Sequence, residues 1–119
     1  MPLVALENCK IDDTVHKGIC TIQSGLSPFS TIDGKKVCLD GLKVLVRGGT
    51  VPGPQVAPVV VTINAALISG VKVDDKLPLA VGDVSSGSET AQYQVGQTVV
   101  TAPVVLTISN AGQTDIQIS

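Results

Sequence analysis

One short pattern occurs twice in the sequence and restricts the possible folds more than any other feature. Each copy is a hydrophobic residue, an acid, a turn-forming residue and a lysine, followed by an apolar stretch that ends at glycine. The copies are Ile32, Asp33, Gly34, Lys35 and on to Gly41, and Val73, Asp74, Asp75, Lys76 and on to Gly82. An acid followed by glycine or by a second acid favours the backbone conformations of a tight turn. The sequence therefore predicts two related β-hairpins, with an offset of 41 residues from Ile32 to Val73.

The rest of the chain favours strands over helices. Apolar and polar residues alternate over Leu3–Glu7, Ile19–Gln23, Leu42–Val46 and Val104–Ile108. No stretch keeps the helical spacing of apolar residues over three turns. With 119 residues, the chain fits a single domain that spans residues 1–119. We expect an all-β domain.

The core of this domain must be largely aliphatic. Phe29 and Tyr93 are the only aromatic residues, and there is no tryptophan. Valine, isoleucine and leucine pack well on pleated surfaces, so thin, tightly packed sheets are expected. We expect Phe29 to be the largest core side chain.

Glycine, proline and serine mark the connections. The stretch from Gly48 to Pro54 cannot be a central strand, because proline removes ladder donors, and it is expected to be an exposed loop. A second loop is expected at residues 85–88. Asn110–Gly112 is typical of a hairpin turn and predicts a third hairpin that returns through Asp115 to Ser119.

Charge and hydrophobicity exclude several classes of protein. The formal net charge is −2, and all eight basic residues lie between Lys10 and Lys76. Without a basic stripe, nucleic-acid binding is not expected.

The N-terminus has no charged leader and no signal-like apolar run, so we expect synthesis in the cytoplasm without a signal peptide.

The second copy of the pattern resembles a known family. The stretch from Asp75 to Asp83 contains Lys76, Pro78 and Gly82 in an order similar to the recurrent hairpin of the proline-alanine-alanine-arginine (PAAR) repeat proteins. These proteins are small conical caps on the trimeric spikes of phage tails and contractile injection systems.

Two further stretches are similar to the same family. Ser27 and Pro28 resemble its serine-proline lead into the hairpin, and the opening Met1, Pro2, Val4, Ala5 resembles its N-terminus. The chain departs from the family where no arginine follows Ala80, and where Cys38 and Leu39 stand in place of proline and alanine.

The resemblance implies a small conical or pyramidal arrangement of short β-hairpins with pseudo-three-fold repetition. It implies a non-enzymatic tip protein, a monomer on its own, of which one copy caps a trimeric β-helical spike. Its base would dock on the spike at a tail or baseplate, and its apex would make transient contact with the target membrane during puncture. The residues that carry the repeated hairpins are Asp33, Gly34, Lys35, Gly41, Asp74, Asp75, Lys76, Pro78, Gly82 and Asp83.

Four residues could hold one zinc or iron ion. The only thiol and imidazole side chains in the chain are Cys9, His16, Cys20 and Cys38. Tetrahedral sites use such ligands in that number. The resembled family often holds a metal near its apex, but through several histidines, so its ligand pattern does not transfer. The alternative is that Cys20 and Cys38 pack as small hydrophobes while His16 sits in a solvated loop.

Other chemistry has weaker sequence support. His16 and Cys20 lack a third member and an oxyanion hole, so a nucleophilic site is not expected. The acid pairs at Asp12–Asp13 and Asp74–Asp75 lack the spacing of a calcium loop and are expected to be solvated turn residues.

A different class of protein remains open. The valine and threonine tract from Val95 to Ser109 could supply the strands of a small β-sandwich or barrel. The chain would then be a binding module of an adhesin or a capsid decoration protein.

Overall fold

A computed structural model describes residues 3–66, 72, 73, 75–114 and 116 of the chain. Over these residues the fold consists of strands, turns and loops without a helix, so the all-β prediction is confirmed. The strands are β1 (Lys10–Asp12), β2 (Ile19–Ile32), β3 (Lys35–Arg47), β4 (Val59–Ile63), β5 (Thr90–Val95), β6 (Thr98–Pro103) and β7 (Thr107–Asn110). Among the residues described, none form a helix long and apolar enough to cross a membrane.

The strands form three antiparallel sheets. The largest has the order β2-β3-β4, and the other two pair β1 with β7 and β5 with β6. The tract from Val95 to Ser109 is thus divided between β6 in one sheet and β7 in another. The molecule is elongated, with principal extents of 50 × 24 × 23 Å.

The first copy of the repeated pattern forms the turn between β2 and β3. Ile32 pairs with Lys35, and the two residues between them, Asp33 and Gly34, have φ values of 54° and 77°. Positive φ at both central residues defines the turn that matches the twist of a hairpin. The hairpin is longer than the sequence pattern indicated, because its strands extend back to Ile19 and forward to Arg47.

The β2–β3 hairpin is interrupted at two places. Between the pairs Leu26–Cys38 and Thr31–Lys36, residues 27–30 bulge out of β2. Between Ser24–Lys43 and Leu26–Cys38, residues 39–42 leave their pairing with β2. Gly25 lies opposite this second interruption, where an added Cβ would stand 2.7 Å from Cα of Leu42. The released residues of β3 are therefore free to pair elsewhere in the molecule.

The loop after β3 packs against strand β5. Residues 48–58 are mostly exposed, as expected from their prolines. Gln55 forms a bridge with Tyr93, and its side-chain amide donates to the backbone carbonyls of Val46 (3.0 Å) and Ala57 (2.7 Å). Gln55 thereby fixes the loop between the β2-β3-β4 sheet and β5.

The third hairpin predicted from sequence returns through Asp115 to Ser119, and Asp115 and residues 117–119 lie outside the described residues. Asn110 and Gly112 do form a turn, in which the Asn110 side chain accepts a hydrogen bond from the Gly112 amide (2.8 Å). The chain then pairs with the N-terminal segment, where the amide of Val4 donates to the carbonyl of Ile116 (2.9 Å). The β5–β6 hairpin, with Gly96 in its turn, was not predicted.

The main core is aliphatic, as the composition requires. Its buried members are Ala5, Cys38, Leu42, Val44, Val46, Val61, Ile63, Leu79, Ala91, Tyr93, Val104, Leu106 and Ile108. The valine run 59–61 contributes Val61 to this core, whereas Val60 faces outward. It is therefore a strand with one buried face.

The two aromatic residues have opposite environments. Tyr93 is 0% exposed, whereas Phe29 is 86% exposed, so the expectation that Phe29 fills the core is wrong. Phe29 lies in the bulge of β2, where Oγ of the buried Ser27 accepts hydrogen bonds from the amides of Phe29 (3.4 Å) and Ser30 (2.9 Å). This turn directs the bulge away from the core.

The exposure of Phe29 gives a direct test. We expect Phe29→Ala to change the free energy of unfolding by less than about 0.5 kcal/mol, as at other exposed positions. Tyr93→Ala should cost roughly 3 to 5 kcal/mol because it empties a buried ring site. Tyr93→Phe, which keeps the ring, serves as the matched control. Urea unfolding measures all three, and a large loss for Phe29→Ala would contradict this packing.

Candidate functional site

Three segments that are distant in sequence meet at one place in the structure. They are residues 3–7, 36–40 and 77–81, and we call their meeting point the three-segment junction. The amide of Ala5 donates to the carbonyl of Leu79 (2.8 Å). The amide of Leu79 donates to Cys38 (2.9 Å), and that of Cys38 donates back to Ala5 (2.9 Å). These three hydrogen bonds close a ring.

A second set of hydrogen bonds surrounds this ring in a consistent cyclic order. In each segment, the amide two residues after the ring residue donates a further hydrogen bond to a neighbouring segment. The bonds are Glu7 N to Lys36 O (2.8 Å), Asp40 N to Leu77 O (2.8 Å) and Val81 N to Leu3 O (3.0 Å). Every segment therefore pairs with both of the others, in antiparallel bridges at Leu6–Val37, Leu39–Pro78 and Val4–Ala80.

The repeated sequence pattern places two of the three segments. Cys38 and Leu79 occupy equivalent positions in the ring, and they are separated by the same offset as the two copies of the pattern. The glycines that end the copies, Gly41 and Gly82, have φ values of 85° and 96°. The first segment supplies the third position without a preceding copy of the pattern.

The second copy also forms a tight turn. The amides and carbonyls of Val73 and Lys76 exchange two hydrogen bonds, of 2.8 and 3.0 Å, and Asp75 has a φ of 64°. Asp74 lies outside the described residues. The prediction of a turn at each copy is confirmed for the residues described.

Side chains alternate across the junction as they do in a sheet. The central residues Ala5, Cys38 and Leu79 belong to the main core. Their neighbours point to the other side and form a second cluster, composed of Val4, Leu6, Val37, Leu39 and Ala80, with Ile32 and Val73 packed against it. The junction is thus covered by apolar side chains on both sides, and the two turns border the second cluster.

Two carboxylates attach the connection after β4 to the junction. Asp40 accepts a hydrogen bond from the amide of Ala65 (2.7 Å). Asp83 accepts from the amides of Ala80 (2.9 Å) and Ala66 (3.3 Å). Asp83 is only 3% exposed, and burial raises its pKa above the ordinary value of 3.8 despite these bonds.

His16 is buried and committed to backbone contacts. Its Nδ1 lies 2.6 Å from the carbonyl oxygen of Val51, and its Nε2 lies 3.1 Å from that of Pro103. Its ring stacks on Tyr93 with 4.4 Å between centroids. The residue is 4% exposed, so the alternative of a solvated histidine is wrong. Both ring nitrogens face carbonyl oxygens and are not available as a metal ligand or as a base for Cys20.

Asp13 supports the same region. It is buried, and its carboxylate accepts hydrogen bonds from the amides of His16 (3.1 Å) and Gly18 (3.1 Å). The expectation that Asp13 is a solvated turn residue is therefore wrong, because the turn from Asp13 to Gly18 folds inward around its carboxylate.

The three cysteines lie in different environments. Cys38 is fully buried, and its thiol donates a hydrogen bond to the carbonyl of Leu6 (3.3 Å). A hydrogen bond between the thiols of Cys9 and Cys38 lowers the pKa of Cys9 and raises that of Cys38. Burial, with the nearby Asp13 and Asp12, raises the pKa of Cys20 to about 11.

The proposed metal ligands do not form one site. Among the residues described, no three or more histidine, cysteine or acidic side chains form a group that could hold a metal ion. Cys9, His16, Cys20 and Cys38 are all described, and His16 has no free ring nitrogen. The geometry therefore does not support the four-ligand zinc or iron site.

Comparison with protein-family models, curated proteins and solved structures gives no match for this chain. Function must therefore be inferred from the geometry of the junction and from the sequence pattern that encodes it.

Hydrogen exchange tests the junction. The amides of Ala5, Cys38 and Leu79 are internal to the ring, so we expect them to exchange as slowly as the amide of Val44 in the centre of β3. The amide of Gly34, in an exposed turn, is the fast-exchanging control. Exchange of the three ring amides at the rate of Gly34 would contradict the ring.

The raised pKa of Asp83 predicts a pH dependence. A carboxyl whose pKa is higher in the folded state favours folding fully below its unfolded pKa and loses that contribution as the pH rises through the folded value. The free energy of unfolding of the native protein minus that of Asp83→Asn should therefore fall as the pH rises from the ordinary carboxyl pKa of 3.8 through the raised pKa of Asp83.

Denaturant unfolding at several pH values measures this difference. Ser85→Ala, which changes a buried uncharged residue, should give a difference that does not depend on pH. A difference for Asp83→Asn that stays constant or rises with pH would show that its pKa is not raised.

Proposed function

We propose that this protein is a non-enzymatic tip that caps a trimeric β-helical spike of a phage tail or contractile injection system. One copy would close each spike trimer. The observation that carries the proposal is the three-segment junction, in which one chain supplies three strand segments bonded in cyclic order.

The cyclic order of the three junction segments matters because one copy of this chain would bind three spike subunits. A trimeric β-helix ends in three equivalent strands, one from each subunit, and their outer backbone groups need hydrogen-bond partners. A single chain can match three equivalent ends only if it presents three segments related by a rotation. The three inner bonds follow one cyclic sense and the three outer bonds follow the opposite sense, each at equivalent positions of the segments, and this supports such a pseudo-three-fold arrangement in this chain.

The elongated shape and the tight turns also fit a piercing tip. A tip must transmit force without yielding, and hairpins closed by two-residue turns leave little freedom in the backbone. The long axis of 50 Å is about twice either of the others, so the body is narrow. The residues that precede the two turns, Ile32 and Val73, pack against the second cluster.

A mechanical role agrees with the chemistry of the buried polar residues. His16, Asp13 and Asp83 all bind backbone groups of their own chain. Through these hydrogen bonds they hold loops in place. We propose that the protein is made in the cytoplasm, joins the spike at the tail or baseplate, and touches the target membrane only during puncture.

Coexpression with a trimeric β-helical spike fragment tests the proposal. We expect a complex with one copy of this protein per spike trimer, measured by native mass spectrometry. A chain that stays free, or that binds in three copies per trimer, would contradict it.

The control removes the docking surface from the partner. A spike fragment that lacks the last turn of its β-helix should still trimerise but should not retain this protein. Retention by the truncated spike would mean that binding does not involve the strand ends, and the capping mechanism would be wrong.

A further inference from the structure

We propose that Cys9 and Cys38 form a redox pair that closes to a disulfide under oxidising conditions. The bond would fasten the N-terminal segment to β3 at the three-segment junction. This proposal concerns the chain by itself and does not depend on the spike.

The geometry brings the two residues to one point. The carbonyl oxygen of Leu6 accepts a hydrogen bond from the amide of Cys9 at 2.8 Å and another from Sγ of Cys38 at 3.3 Å. Cys9 also packs against the core cluster that contains Cys38. The two residues therefore meet at the same oxygen, and the interaction between their thiols places the side chains beside each other.

The two thiols differ in access. Cys9 is half-buried and lines an open cleft of about 410 Å³, together with Glu7, Ile11, Cys20 and Leu26. Cys38 is 0% exposed. A small oxidant in the cleft can therefore reach Cys9 but cannot reach Cys38, so Cys9 reacts first and Cys38 resolves the product.

The reaction balances with a low-molecular-weight disulfide as oxidant. The Cys9 thiolate attacks one sulfur of glutathione disulfide, which forms a mixed disulfide and releases one glutathione thiolate. Cys38 attacks the Cys9 sulfur and expels the second glutathione, which takes up the Cys38 proton as it leaves, while the first released thiolate takes up the proton that Cys9 lost. Two protein thiols are oxidised to one disulfide, and one glutathione disulfide is reduced to two thiols.

The bond would cross-link parts of the chain that the junction must keep together. The closed loop runs from Cys9 to Cys38 and contains β1, β2 and the first turn. Cross-linking such a loop restricts the unfolded chain and so favours the folded state. The cytosol keeps thiols reduced, so the bond would close when the protein meets an oxidising environment outside the cell.

The experiment treats the purified native protein with glutathione disulfide and measures its intact mass. We expect a mass lower by about 2 Da, with no glutathione retained. Peptide mapping should find Cys9 joined to Cys38, with Cys20 still open to alkylation. The melting temperature should rise by roughly 10 °C and return when the disulfide is reduced.

Single variants separate the roles of the two sulfurs. Cys38→Ser should retain one glutathione on Cys9, because the resolving thiol is missing. Cys9→Ser should leave Cys38 unmodified. Cys20→Ser is the matched control, since Cys20 lines the same cleft, and it should form the disulfide as the native protein does.

Three results would overturn the proposal. They are a disulfide between Cys9 and Cys20, a stable glutathione adduct on Cys9 of the native protein, and no change in mass under conditions that oxidise a model dithiol. Peptide mapping reads the first and the intact mass reads the other two, so a failure here is distinct from a failure to bind a spike.

Discussion

The ring of backbone hydrogen bonds through Ala5, Cys38 and Leu79 is the constraint on which the rest of the structure depends. It joins three segments that are far apart in sequence, and closing the chain between them costs conformational entropy. The apolar clusters on the two sides of the junction offset this cost, because they exclude water from the ring and bury its side chains. Neither cluster could form without the ring, since each takes residues from all three segments.

The irregularities of the β2–β3 hairpin follow from the same constraint. A regular hairpin would hold residues 39–42 against β2 and leave 77–81 without their partner in β3. The interruption opposite Gly25 lets β3 change partners midway, so that Leu39 pairs with Pro78 while Val44 stays in the hairpin. Such bulges are features that redirect a strand rather than defects.

Buried polar side chains fix the positions of several loops in this aliphatic core. His16 lies between two carbonyl oxygens and stacks on the only buried aromatic ring, while Asp13 and Asp83 accept hydrogen bonds from loop amides. A buried polar group is tolerated only when it is hydrogen-bonded. These residues therefore fix irregular segments that the aliphatic core alone would leave undefined.

The sequence by itself determined the strand character of the chain, the turn at Asp33–Gly34 and the offset between two of the junction segments. These are local properties, because alternation and turn residues act within a few positions. Tertiary structure alone decided that Phe29 is exposed, that His16 is buried between two carbonyls, and that the chain after Gly112 pairs with Val4. Each depends on which remote backbone groups remain unpaired once the junction has closed. Those partners are distant in sequence, so the local residue pattern does not specify them.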